Sequence, residues 1–399
     1  MKLLLPVISA VTCSTFIHAG DLAVVTATPE PRFKVYGWVE AGATFNPDAP
    51  EDRQNFGRLF DDRSNELLLN QAVITLERTL PSGLTSVDWG FKIQGMFGSD
   101  ARFTHGLDLF DNTMNELFQA DLVEAYLTLH LPVFSTGGVD LKLGKFATLE
   151  GAETIDPRTN FFYSYTYLFN FGIPLTHTGA LATWHTTPHF DLIAGVTRGV
   201  NTAVEDNNNS FAFHGGIGLN GFDGKLTVLA STHIGPETVN DNRDQRYLSD
   251  LTVTAKVTKN FTSITDLNYA YDAAGASGYG IAQYFLYTIN DVISVGARGE
   301  IWRDDDAFYV ASFAENDDAL DALRGGGVTL DRRTVGGGRT TYAAATLGLN
   351  IKPPVPKPAA SLVIRPELRF DRAFTDTRPF NDSSDRDQFT VGIDVIVGF

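Results

Sequence analysis

The stretch QFTVGIDVIVGF (388–399) places an apolar side chain at every second position: Phe389, Val391, Ile393, Val395, Val397 and finally Phe399. Between them stand Gln388, Thr390, Gly392, Asp394, Ile396 and Gly398, a mostly small or polar set. A period of two describes a β-strand with one greasy face and one wetter face. In a soluble sandwich the greasy face meets a second sheet, whereas in a membrane barrel it meets lipid.

The same alternation recurs along the chain. FKVYGWVEAGATF (33–45) sets Phe33, Val35, Val39 and Phe45 against Lys34, Tyr36, Trp38 and Glu40. DLVEAYLTLHL (121–131) sets Val123, Ala125, Leu127, Leu129 and Leu131 against Glu124, Tyr126, Thr128 and His130. SLVIRPELRFD (361–371) opposes Leu362, Ile364, Leu368 and Phe370 to Arg365, Glu367, Arg369 and Asp371. Each run has about the length of a tilted membrane-crossing strand. Charged residues at alternate positions are costly in lipid, so that face must see water.

Sixteen such segments are predicted, centred on 33–45, 67–78, 86–97, 121–131, 138–147, 175–186, 189–199, 210–219, 224–235, 247–257, 259–271, 278–289, 291–303, 340–351, 361–371 and 388–399. After the first strand the connections alternate long and short. PSGL (81–84), TTP (186–188), NGFDG (220–224) and TKN (258–260) are short and rich in turn formers, while 46–66, 98–120, 148–174 and 304–339 are long. Short turns on one side of a membrane and long loops on the other produce that rhythm. The expectation is an all-β, antiparallel transmembrane β-barrel of about 16 strands, within a range of 14–18, wide enough for an aqueous channel. Its final strand pairs with its first, abolishing free edges.

Composition is consistent with this. The 399-residue chain carries a net charge of −17, against the basic patches that nucleic-acid binding requires. The mean hydropathy of −0.07 hides two faces that average out. MKLLLPVISAVTCSTFIHAG (1–20) has a positive start, an apolar stretch and a small-residue site, and is read as a signal peptide, 1–19, cleaved to leave one barrel domain over 20–399. The single cysteine, Cys13, lies within it.

Two blocks carry a family resemblance. The first holds Gly37-Trp38, Phe45-Asn46, Arg63-Ser64-Asn65-Glu66 and Asn70-Gln71. The second holds Asn160-Phe161-Phe162, Tyr163-Ser164, Phe169-Asn170-Phe171-Gly172 and Thr176-His177-Thr178-Gly179. Together they resemble the OmpL-like β-barrel porin family. The resemblance implies a bacterial outer-membrane porin and names no solute.

On this reading, passive diffusion of small hydrophilic solutes needs neither enzyme nucleophile nor cofactor. The long connection 148–174 is expected to fold into the barrel, because NFFYSYTYLFNF (160–171) is too apolar to stand in water. It would place Glu150, Glu153, Asp156 and Arg158 at a constriction. The inward face would line the pore with Asp88, Lys92, Glu124, Lys142, Arg298, Glu300, Arg365, Glu367 and Arg369. Phe399 resembles the signal by which the outer-membrane assembly machinery takes up its clients. The other expected partners are the lipid bilayer and lipopolysaccharide, with a homotrimer left open. His185 and His189 flank a short turn, and a metal there would need a third ligand, so they are read as exposed turn histidines. The alternative function is an outer-membrane barrel acting mainly as a surface adhesin or scaffold through loop 304–339.

Overall fold

The computed structural model describes residues 32–399 apart from 82, 108, 111–116, 205, 274 and 311–338. The expected signal peptide and most of loop 304–339 lie outside the described residues.

Sixteen strands form one closed antiparallel barrel in which each pairs with its sequence neighbours. They are β1 (Phe33–Phe45), β2 (Leu67–Arg78), β3 (Asp88–Gly98), β4 (Gln119–Leu131), β5 (Val139–Ala147), β6 (Thr176–Thr187), β7 (Phe190–Thr197) and β8 (Ala212–Gly221). The second half comprises β9 (Leu226–Pro236), β10 (Gln245–Lys256), β11 (Phe261–Asp272), β12 (Ala276–Thr288), β13 (Ile293–Asp304), β14 (Thr340–Ile351), β15 (Ser361–Ala373) and β16 (Asp387–Gly398). Among the described residues no helix is long and apolar enough to cross a membrane. Among the described residues the helical pieces are a short α1 (Ala101–Thr104) and one π-helical turn, Leu168–Gly172.

The barrel closes where β1 meets β16, with Ala41 opposite Val395. Phe399 extends the seam. Its backbone exchanges both hydrogen bonds with Gly37, at 3.0 and 3.1 Å, and its ring lies over that glycine. A Cβ at position 37 would sit 2.6 Å from the ring, so only glycine admits the aromatic there.

The faces are inverted relative to a soluble protein. On β16 the apolar set Phe389, Val391, Ile393, Val395 and Val397 is exposed, whereas Gln388, Thr390 and Asp394 are buried inside. An outward apolar surface around a polar interior suits a protein whose outer solvent is lipid.

One expected orientation is corrected. A β-bulge pairs Gln94 with Glu124 but Gly95 with Leu122, which leaves Val123 as the extra residue. Val123 therefore turns inward into the buried core, and the strict alternation assumed for β4 breaks there. A comparable shift on β2 sends Asn70 and Gln71 inward together.

Candidate functional site: an inward loop and a charged lumen

The segment joining β5 to β6 enters the lumen instead of rising above it. Phe162, Tyr163, Tyr165, Tyr167, Phe169 and Phe171 are all buried, and all but Tyr163 belong to one cluster with Trp302, Tyr342 and Phe60. Small inward residues on the wall receive them. A Cβ on Gly42 would lie 2.5 Å from the Tyr163 ring, and one on Gly296 would lie 2.4 Å from the Phe161 ring. Aromatic burial of this kind stabilises by about 1.5–3 kcal/mol per side chain, which holds the loop inside.

Irregular backbone inside a barrel cannot satisfy its own polar groups, so the wall must supply partners. Alternate positions of β13 and β15 do so. The Arg298 guanidinium donates to the Ser164 carbonyl at 2.6 Å and to Glu153 at 2.6 Å. Arg365 donates to the carbonyls of Pro157 and Asn160 at 2.8 and 3.1 Å, and pairs with Asp394 at 2.6 Å and Glu40 at 2.9 Å. Arg369 donates to the Tyr165 carbonyl at 2.5 Å and pairs with Glu300 and Asp371. Loop N–H groups find carboxylates: Tyr163 and Ser164 donate to Glu367, and Tyr167 donates to Glu300. Arg58, from the β1–β2 loop, completes the network through Asp61 and Asp371.

Of the residues expected to line water, Arg298, Glu300, Arg365, Glu367 and Arg369 thus point inward but lie buried beneath the loop. Of those expected at a constriction, Glu153 is buried against Arg298. Glu150 is buried with neither carboxylate oxygen hydrogen-bonded, and desolvation, helped by the charge of Asp250, pushes its carboxyl well above the usual range. Asp156 and Arg158 form a 2.7 Å pair, each 28% exposed, and Arg158 lies 3.8 Å over the Trp38 ring.

The aromatic run of the loop crowds one side of the barrel, while its first residues reach the other, Leu149 donating its N–H to His214 on β8 and Ala152 to Asp266 on β11. The side chains of the run cover Gly280 on β12 (Leu168), Gly296 on β13 (Phe161), Gly348 on β14 (Phe162), and Gly392 on β16 and Gly42 on β1 (both Tyr163). Inward glycines on the opposite wall, such as Gly144, Gly179 and Gly216, have neighbouring strands as their nearest atoms. That wall carries the remaining expected residues. Lys92 pairs with Glu124, Asp88 pairs with Arg78 and Arg32, and Lys142 lies 4.7 Å over the Tyr126 ring.

Histidines form groups that periodicity alone does not reveal. At the short-turn end His130 meets Asp140 at 2.6 Å, while His185 bridges Asp140 and Asp191 at 3.3 and 2.8 Å. A cavity of about 80 Å³ opens beside them. His185 is therefore a buried, paired residue and not the exposed turn histidine expected; only His189 is exposed. Near the other rim His177, His214 and His233 stack with ring centroids 4.3–5.8 Å apart. The inward reach of Arg58 from its loop to Asp371 and Thr390 had no sequence signal. Glu40 and Asp394 did, because both are charges at inward-facing alternate positions.

A sequence family described as "Putative beta-barrel porin-2, OmpL-like" matches residues 32–399. The chain belongs to this family. It is a porin of the bacterial outer membrane, and this membership points to a channel rather than an enzyme. No curated protein matches the porin in sequence. Solved structures share its fold at low identity. The outer membrane channel DcaP of Acinetobacter baumannii superposes with a TM-score of 0.55 at 13% identity, covering 92% of this chain and 97% of that one. An anion-selective porin from Comamonas acidovorans gives 0.56 at 10%, covering 92% and 99%. The trimer form of OmpT from Vibrio cholerae gives 0.53 at 11%, covering 92% and 99%.

Proposed function

We propose that this porin passes small hydrophilic solutes by passive diffusion along one side of its lumen, between the loop pair Asp156/Arg158 and the wall residues Asp88, Lys92, Glu124 and Lys142. The observation that carries this reading is the one-sided packing of the aromatic run: Phe161, Phe162 and Tyr163 lie against Gly296, Gly348 and Gly392, whereas Gly144, Gly179 and Gly216 have neighbouring strands as their nearest atoms. Glu153 then acts from beneath, as part of the loop's anchorage through Arg298 and Thr166. Most charges along the path are matched locally, Asp156 by Arg158 and Glu124 by Lys92. Matched pairs give weak selectivity between small ions. In the membrane the protein works as a homotrimer, a reading supported by the trimer form of OmpT, inserted with lipopolysaccharide around it after delivery by the assembly machinery through Phe399.

Single-channel recording in planar bilayers tests the channel. Folded protein should give stable steps, and deleting 153–168 should raise their size because the fill of the lumen is removed. Silence from folded protein, or steps unchanged by the deletion, would overturn the path described.

A further inference from the structure

Lys142 differs from the other cations along this path. Lys92 is paired with Glu124, Lys145 with Asp121 at 3.6 Å, and Arg158 with Asp156. Among the described residues, Lys142 has no ion pair and no hydrogen bond; its ammonium is held by ring faces, 4.7 Å from the centroid of Tyr126 and 5.7 Å from that of Phe146. A ring face attracts an ammonium without cancelling its charge, so the cation stays available to an anion. Lys142 is also only partly buried.

The surroundings of this cation are unusual for a wet lumen. Phe146, Leu181, Ile193 and Leu229 form a separate apolar cluster on the inner side of β5, β6, β7 and β9, with Tyr126 and Leu149 partly buried against it. Water-filled walls have no need of inward leucine and isoleucine. Binding sites, by contrast, combine an apolar surface with a few placed polar groups. Glu124, the carboxylate whose charge reaches Lys142 most strongly, is itself held by Lys92. Among the described residues Lys142 thus has no ion-pair partner of its own, and one such cation beside an apolar edge selects by elimination. A multiply charged phosphate calls for several donors, and a sugar for a fan of hydrogen-bonding groups. A single carboxylate on an apolar body needs one cation and one greasy surface.

We infer that Lys142, together with the Tyr126 and Leu149 edge, forms a subsite for a small organic monocarboxylate with an apolar or aromatic body. The inference rests on the open path proposed above and names the solute class that the path favours. The carboxylate meets the Lys142 ammonium, and the body lies along the Tyr126 ring.

Proteoliposome entry of benzoate and of benzamide, its neutral counterpart of similar shape, distinguishes the subsite from the pore. In the native porin benzoate should enter faster than benzamide. Lys142→Gln should lower the benzoate/benzamide ratio on the order of threefold, the scale of one partly exposed charge contact. Lys142→Arg should restore it, showing that charge and not folding is responsible. An unchanged ratio in folded Lys142→Gln, with benzamide entering normally, would overturn the subsite and leave the pore standing. Entry of neither solute through native protein would overturn the pore and the subsite together.

Discussion

Arg365 spends all of its donors on fixed partners: a carboxylate from β16, another from β1 and two carbonyls from the loop. Its removal leaves Asp394 and Glu40 buried without their cation. Breaking such a network from one side costs about 3–5 kcal/mol. Arg365→Gln is therefore expected to lower the temperature at which the folded form converts to the unfolded form on a denaturing gel, far more than a substitution at exposed Arg372 would. Glu237 lies just past β9 and accepts the Val200 N–H on both oxygens at 3.1 Å. Burial pushes its carboxyl up to about 8, so the folded chain keeps a proton that the unfolded chain has already released. Stability consequently falls as pH rises from the ordinary carboxyl range towards about 8, by about 1.4 kcal/mol per pH unit, and levels off above that. In denaturation series at several pH values, Glu237→Gln should lose less stability between pH about 5 and about 8 than the native chain.

At the level of strands and loops, the alternation of side chains was enough to locate the barrel. β2 and β14 occupy the predicted 67–78 and 340–351, and the other strands lie within a few residues of their predicted bounds. That legibility has a physical basis: lipid outside and water inside impose a period of two on every strand. It fails where the period does. The bulge at Val123 follows from pairing across to Gln94, which no window on β4 contains. The inward loop was legible from its run of aromatics, but the burial of Arg298, Arg365 and Arg369 was not. An arginine at an inward position reads the same whether water or a loop carbonyl receives it. The loop–wall fit can be tested at Gly296, where any side chain would meet Phe161. Gly296→Leu should loosen the loop by overpacking, at about 1–3 kcal/mol, and make 160–171 accessible to proteolysis in otherwise folded barrels. At the closing seam, Phe399→Ala should lower the amount of assembled protein in cells, since the ring over Gly37 is lost. Normal assembly of that variant would count against a role for Phe399 beyond pairing.

Over the whole molecule, with solutes on the path proposed above, the interior has a packed half and a wet half, the packed cluster reaching as far as Met96 on β3 and Val123 on β4. The packed half resembles the core of a soluble protein, with Trp38, Phe162, Tyr284, Trp302 and Tyr342 in one cluster. The wet half keeps most of its charges in pairs along β3 to β5, with Lys142 the exception. Ion preference should accordingly depend on few residues, and measured reversal potentials across a salt gradient should move more for Lys142→Gln than for Arg298→Gln. The loop's anchorage has an electrical consequence. Its backbone is held along its inward course by Arg298, Arg365, Arg369, Glu300 and Glu367, so the aperture of the proposed path should keep fixed dimensions. A fixed aperture behaves as a quiet resistor, with current linear in voltage and little low-frequency noise, whereas a swinging loop would make the current flicker.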